Sequence, residues 1–410
     1  MRAEALNSRP FRLLLVGQSV SGIGDGVVPV ALSFAVLDLT GSIRDLGLVL
    51  AAQSLPLILF VLVGGVWADR LSRRKVMLAS DLVRAGVQGA SAVLLLTGDA
   101  SIWSLALLQA LYGTARAFFG PAGTGLVLET VEPEHLQSAN ALMGVGENLS
   151  SVLGPALGGV LVVAASPGWG LAFDACAFLL SAFSLQLMSL PDRPVVLRRS
   201  ALTELREGWH AFASRTWLWT SVASLTLIVT VVFAPLEVLG PAVARAHLGG
   251  AGAWAAINTA MGVGAVLGGF AGLRWRPRYP LRAGFLLTLL GEPVLLALLA
   301  QGELLGLIVG FGLVSGLAAT LFNVFWFTAL QREIPPGEQS RVSSWDHFGS
   351  YALQPVGLAL VGPIALAVGT SSTLYAVAIL VVLLTGAVLA VPAVRNFQAS
   401  TTAAPAVVET

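Results

Sequence analysis

Certain ionisable side chains stand where water is scarce. Asp25, Arg116, Glu147 and Glu292 each lie inside a long apolar run. A charge near the centre of a bilayer costs about 2.5–3.5 kcal/mol on insertion scales, so such residues default to functional candidates. A carboxyl group held out of water can take a proton on one side of a membrane and release it on the other, which is the chemistry of ion coupling. Asp25 stands about 21 Å along its run and Glu147 about 13 Å along its own, at 1.5 Å per residue. Each has a structural alternative. Asp25, flanked by Gly24 and Gly26, also suits a hydrogen-bonded structural acid, and Glu147 with Arg116 suits a structural ion pair. Glu292, followed by Pro293, suits a protonated and merely packed acid. Asn258, Asn323 and Gln354 offer neutral hydrogen bonds to a cargo or to neighbouring helices. Phe325, Trp326 and Phe327 form an aromatic stripe suited to packing or to a cavity wall.

Other chemistries are poorly served. The lone cysteine, Cys176, excludes a disulfide framework and a Cys-based zinc site. The four histidines stand far apart without ligand spacing, so no metal or other cofactor is expected. There is no phosphate-binding loop of the G-x-x-x-x-G-K-[ST] type, so ATP-driven work would need a partner chain. No nucleophile–base pair argues for an enzyme.

The elements that position these residues follow from composition. The 410 residues are 56% hydrophobic and 11% charged, against roughly 25% charged in a soluble domain. Lipid must be part of the solvent. Twelve apolar runs reach the roughly 20 residues needed to cross a bilayer as a helix. They are 11–37, 46–67, 76–97, 102–121, 138–165, 170–190, 217–241, 253–273, 282–300, 304–329, 343–367 and 372–394. The first run is too long for a signal-peptide core and no small-residue cleavage site follows it, so no cleavable leader is expected.

Residues 1–190 then form one six-helix bundle and 217–395 a second. Between them, 191–216 is a linker in which Leu202, Leu205, Trp209 and Phe212 recur at helical spacing, as on an amphipathic helix lying on the membrane surface. The tail 396–410 is rich in Ala, Thr and Pro and reads as disordered. Basic residues set the orientation. With the N-terminus inside, the cytoplasmic side receives Arg2, Arg9, Arg12, Arg70, Arg73, Arg74, Lys75, the arginines of the linker and those from Arg274 to Arg282. The outer side receives Arg44 and Arg245. Both termini are expected in the cytoplasm.

The loop after the second run reads Gly65-Val66-Trp67-Ala68-Asp69-Arg70-Leu71-Ser72-Arg73-Arg74-Lys75. It resembles the G-x-L-a-D-R-x-G-R-[RK] signature of the major facilitator superfamily, with Ser72 in place of glycine and Trp67 in place of leucine. The fifth run holds Ser150-Ser151-Val152-Leu153-Gly154-Pro155-Ala156-Leu157-Gly158-Gly159, similar to the G-x-x-x-G-P-x-x-G-G motif of the superfamily's exporters. Ser150 replaces its first glycine. Ser21-Gly22-Ile23-Gly24-Asp25-Gly26, Phe118-Phe119-Gly120-Pro121-Ala122 and Phe173-Asp174-Ala175-Cys176 narrow the likeness to the enterobactin-exporter and macrolide-efflux group.

The resemblance implies an all-α membrane fold of twelve helices in two pseudo-symmetric six-helix bundles. It implies a gating latch at Gly65, Asp69, Arg70, Arg73, Arg74 and Asp81, which Arg84 would join, and close packing at Gly154, Pro155, Gly158 and Gly159. In that fold the first, fourth, seventh and tenth helices line the cavity, which favours Asp25, Arg116, Asn323 and Trp326, with Glu147 beside them, as proton-coupling or cargo residues. Arg116 is displaced from the superfamily's R-x-x-Q-G pattern. The expected function is export of a small amphipathic drug, siderophore or metabolite by proton antiport from the bacterial inner membrane. A monomer working with protons, cargo and the bilayer, and without nucleic acid, is expected. A lipid flippase and a non-transporting sensor remain alternatives.

Overall fold

The computed structural model describes residues 4–190 and 201–398. The side chains of residues 4, 62–70, 121, 124, 133, 201–205, 336, 337, 339–341 and 344 fall outside the described residues. Residues 399–410, most of the expected disordered tail, lie outside as well.

The described chain is helical throughout. Its elements are α1 (Arg9–Thr40), α2 (Ile43–Arg70), α3 (Arg73–Thr97), α4 (Ile102–Thr130), α5 (Leu136–Ala164) and α6 (Pro167–Gln186). They continue with α7 (Ala201–Ala213), α8 (Thr216–Val243), α9 (Ala251–Arg274), α10 (Pro280–Gln301) and α11 (Leu305–Glu333). The last are α12 (Pro336–Tyr351), α13 (Gln354–Val368), α14 (Thr370–Ala390) and the short α15 (Pro392–Arg395). Local sequence sets the ends. Ser8 caps α1 by accepting from the Phe11 N–H, and Gly41 closes it with φ +67°, a conformation that glycine adopts without strain. Ser101 and Ser104 cap α4 reciprocally.

Among the described residues ten helices are long and apolar enough to cross a membrane, two fewer than the twelve apolar runs. The two that fall short of that description are α3 and α4, of 25 and 29 residues. Length is not the reason, since 25 residues of helix reach about 37 Å. α3 is inverted relative to a soluble helix. Its Ser80, Asp81, Arg84, Gln88 and Ser91 are buried, while Leu82, Val83, Val93 and Leu96 face outward. The polar stripe that lowers its hydropathy points into protein.

The run 343–367 corresponds to one candidate span, Trp345–Val368, with an interruption inside it. It breaks at Ala352–Leu353, between α12 and α13. Pro355 follows in the first turn of α13. It has no N–H to give to a preceding turn, and the first turn of a helix needs none. In the linker, α7 forms at the expected place, but Phe212 is buried in protein and Trp209 lies edge-on to Trp345 of α12 at 5.0 Å. Part of its apolar side is thus used by α12 rather than left to lipid. Leu202 and Leu205 lie outside the described side chains.

The chain divides into two compact units. The first comprises Met1–Arg198, Glu237–Thr259 and Leu358–Leu366. In it α1 packs against α5 and α6, α2 against α4, and α3 against α4 and α6. The second comprises Arg199–Leu236, Ala260–Gly357 and Ala367–Thr410. There α10 packs against α11 and α14, around a core that includes Phe212, Leu281, Phe285, Phe322 and Trp326.

Candidate functional site

Small residues bring α5 onto α1. Gly146, Ser150, Gly154 and Gly158 recur every four residues, so they form one ridge. A Cβ on Gly154 would lie 2.5 Å from the Gly26 Cα, and one on Gly158 would lie 3.0 Å from the Val27 carbonyl oxygen. Ser150 donates to the Ser19 carbonyl at 3.2 Å. The neighbouring Gly159 faces elsewhere, toward Ala255 of α9. The helix-5 motif therefore serves two contacts, and Pro155 lies against Gly26 in the first of them.

Where the ridge gives way to larger residues, a cavity of about 370 Å³ opens among α1, α4 and α5. Asp25 and Glu147 both line it, with Gln18, Phe119, Met143 and Ser150. Gln18 keeps a buried Nε2 without a hydrogen-bond partner among the described residues. Two acids, an amide and hydroxyls beside an aromatic ring and a thioether suit a molecule that is partly polar and partly apolar.

Behind Asp25 lies a polar network. The Tyr112 hydroxyl of α4 donates to Asp25 Oδ1. Arg84 of α3 stands 3.7 Å from Asp25 Oδ2 and donates to Asp81 Oδ1. The Arg84 guanidinium lies between two rings, 4.1 Å from the centroid of Phe119 and 4.2 Å from that of Phe178. Such faces stabilise a cation removed from water. A second chain runs beside it. Gln109 of α4 donates to Gln88 of α3 at 3.2 Å, and Gln88 donates to Asp174 of α6 at 2.8 Å. Asp174 is fully buried.

Other candidates stand apart. Arg116, one turn beyond Tyr112, is exposed and forms no ion pair with Glu147 among the described residues. It lies within electrostatic reach of Asp25. Asn323 is exposed on α11 of the second unit, whereas Trp326 is buried in that unit's core and donates to Asp346 at 3.1 Å. Glu292 accepts from Ser315 at 2.7 Å. Asn258 donates back to the Trp254 carbonyl at 2.9 Å.

Of the latch residues, the side chains of Gly65, Asp69 and Arg70 lie outside the described residues. Arg73 pairs with Glu129 at the end of α4 at 2.9 Å and also donates to the Gly125 carbonyl. Arg74 donates to the Met188 carbonyl at 2.7 Å, just past the C-terminal end of α6, where a cation is favoured. Asp81 lies deeper and is engaged with Arg84, whose other acid is Asp25. Tyr112, Gln88 and Gln109 had no signal as single residues. The spacing of polar residues along α3 could have shown that this helix turns a polar face inward.

The Major Facilitator Superfamily model matches residues 14–348. The chain belongs to that superfamily. The multidrug efflux pump Tap of Mycolicibacterium fortuitum is 30% identical over 412 residues, covering 95% of this chain and 97% of that one. The fold is similar to the nucleoside transporter NupG, with a TM-score of 0.75 at 13% identity, covering 93% of this chain and 98% of that one. It is also similar to a bacterial homologue of the human lysosomal transporter Spinster in an inward-facing, unoccupied conformation. That TM-score is 0.72 at 16% identity, covering 96% of this chain and 98% of the other. The protein is accordingly an all-α, multi-pass bacterial membrane protein of two pseudo-symmetric helical bundles. It is a non-enzymatic transporter of small molecules, similar to the superfamily's multidrug efflux pumps.

Proposed function

We propose that this transporter exports a small amphipathic molecule by proton antiport and alternating access, with Asp25 and Glu147 as the groups that exchange protons and meet cargo. The observation that carries the proposal is the cavity of about 370 Å³ that holds both carboxylates beside Phe119 and Met143. Asp25 joins the cavity to the buried Arg84, so a change in its charge is felt beyond the cargo. The 30% identity to a protein named as a multidrug efflux pump supports outward transport of such cargo. The helix-5 and loop motifs support placement in the enterobactin-exporter and macrolide-efflux group. Twelve crossings, split as 1–190 and 217–395 with both termini in the cytoplasm, complete the scheme. α3 and α4 are the two that hydropathy undercounts.

The experiment uses inverted vesicles and a cargo first chosen by a thermal-shift screen. Counterflow reports exchange of cargo, and a pH jump reports proton-driven accumulation. Asp25→Asn and Glu147→Gln keep shape and remove titration. The double variant is expected to retain counterflow and to lose accumulation by at least about tenfold. Full pH-driven accumulation in both single variants and in the double variant would remove the proton from these residues.

A further inference from the structure

Arg84 is 1% exposed and lies between two carboxylates of unequal setting. Asp81 is fully buried and in direct contact with the guanidinium. Asp25 is 28% exposed, lines the cavity and stands 3.7 Å away, beyond hydrogen-bond range. A guanidinium stays protonated under any condition the protein meets. Left without an acid in this interior, it would be strongly destabilising. Were Asp25 its sole partner, protonating Asp25 would strand it.

We infer that Asp81 is a positioning residue for the proton chemistry of Asp25: it holds the charge of Arg84, so that Asp25 can gain or lose a proton without leaving the guanidinium unpaired. The inference rests on Asp25 as a proton carrier. The asymmetry of contact supports it. The buried acid takes the short bond, and the acid that faces the cavity takes the looser one and a neutral donor, the Tyr112 hydroxyl. The phenyl rings of Phe119 and Phe178 lie over the guanidinium, and their faces favour its charge independently of either acid. The charged or titratable groups around Asp25 are Arg84 and Asp81 from α3, Tyr112 and Arg116 from α4, Glu147 from α5 and Asp174 from α6. Of the two cations, Arg84 is the one that already has a second acid within ion-pair distance.

Charge balance gives a pattern of signs that damage to the fold would not produce. With Asp81 neutral, Arg84 attracts the ionised form of Asp25 without compensation. With Arg84 neutral, Asp81 repels it. With both neutral, the balance returns. The measurement is an infrared titration of purified protein in lipid vesicles. The carboxyl stretch of Asp25 is assigned by its loss in Asp25→Asn. Asp81→Asn is expected to move the midpoint of that band to lower pH by about one unit, a tenfold change in proton affinity. Arg84→Gln is expected to move it to higher pH by a similar amount, and the double variant to bring it back near wild type.

Shifts in the same direction, or midpoints unchanged in both single variants, would overturn the inference. If Asp81→Asn fails to insert, Arg84→Gln and the double variant still decide it, because a double variant as far displaced as Arg84→Gln contradicts the balance. The transport arm is separate. Retained pH-driven accumulation in Asp25→Asn would end Asp25 as carrier, whereas its loss together with unmoved midpoints would end the role of Asp81 alone.

Discussion

Gly24 and Asp174 are packed with no room between them: a Cβ on Gly24 would lie 2.5 Å from Asp174 Oδ1 and 2.8 Å from the Ala177 Cβ. α1 and α6 can approach this closely because one of them lacks a side chain at the crossing. The residue after Gly24 is Asp25, so the same crossing fixes where that acid stands. Gly24→Ala should therefore cost about 1–3 kcal/mol, as overpacked cores do. It should also impair transport out of proportion to the methyl group added. Thermal unfolding of purified protein, with transport measured on the fraction that inserts, checks both. A variant with wild-type melting and wild-type transport would mean that α6 yields freely.

Asp25 and Glu147 are legible as candidates because each is a carboxylate in a long apolar run, although each also has a structural reading. The structure places both on one cavity. Their partners were not legible. Tyr112, Gln88 and Gln109 look like ordinary helix residues until α3, α4 and α6 are packed together. The resemblance groups Arg84 with the latch, and its side chain also reaches Asp25. The apolar runs located the helices well, but hydropathy alone undervalues α3, whose polar residues face protein. It also gave no sign of the break before α13. Pro355 marked that site, but a proline can kink a membrane helix as readily as divide it.

The cytoplasmic end of the first unit gives a prediction about the latch. Arg73 binds both Glu129 and the Gly125 carbonyl, with side chains about one-fifth exposed. Arg73→Gln should cost on the order of 1 kcal/mol, since partial exposure screens the pair. Asp69→Asn, in the same motif, should lower transport and leave insertion intact. Reversing the pair as Arg73→Glu with Glu129→Arg should recover part of the lost stability. No recovery would mean that the Gly125 contact, rather than the ion pair, holds α3 to α4.

Orientation is tested by reporters. A fusion after Gly98 should report outside and one near Arg199 inside, because the basic residues crowd the opposite side from Gly98. The reverse pattern at either site would overturn the twelve-crossing layout.

The far end of α1 carries the last prediction. Arg245 pairs with Asp38 at 3.2 Å and donates to the Leu37 carbonyl, which also accepts the Gly41 N–H. A cation at a helix C-terminus meets the second lone pair of a capping carbonyl and the negative end of the dipole. The side chains are 40% and 52% exposed, so the ion pair itself should be worth no more than about 1 kcal/mol. Asp38→Asn should therefore have a small effect on melting. Arg245→Lys should have a larger one, because lysine keeps the charge but not the planar fork that reaches two acceptors. Arg245→Ala should be the most damaging of the three.

A contact this weak in energy, within the first unit, is cheap to break and remake under the proposed alternating access. The check is a cross-link. In a Cys176→Ser background, Asp38→Cys with Arg245→Cys is joined by a cleavable bifunctional thiol reagent. Transport should stop when the two are joined and return when the linker is cut. Undiminished transport by the joined form would show that the two residues stay together throughout the cycle.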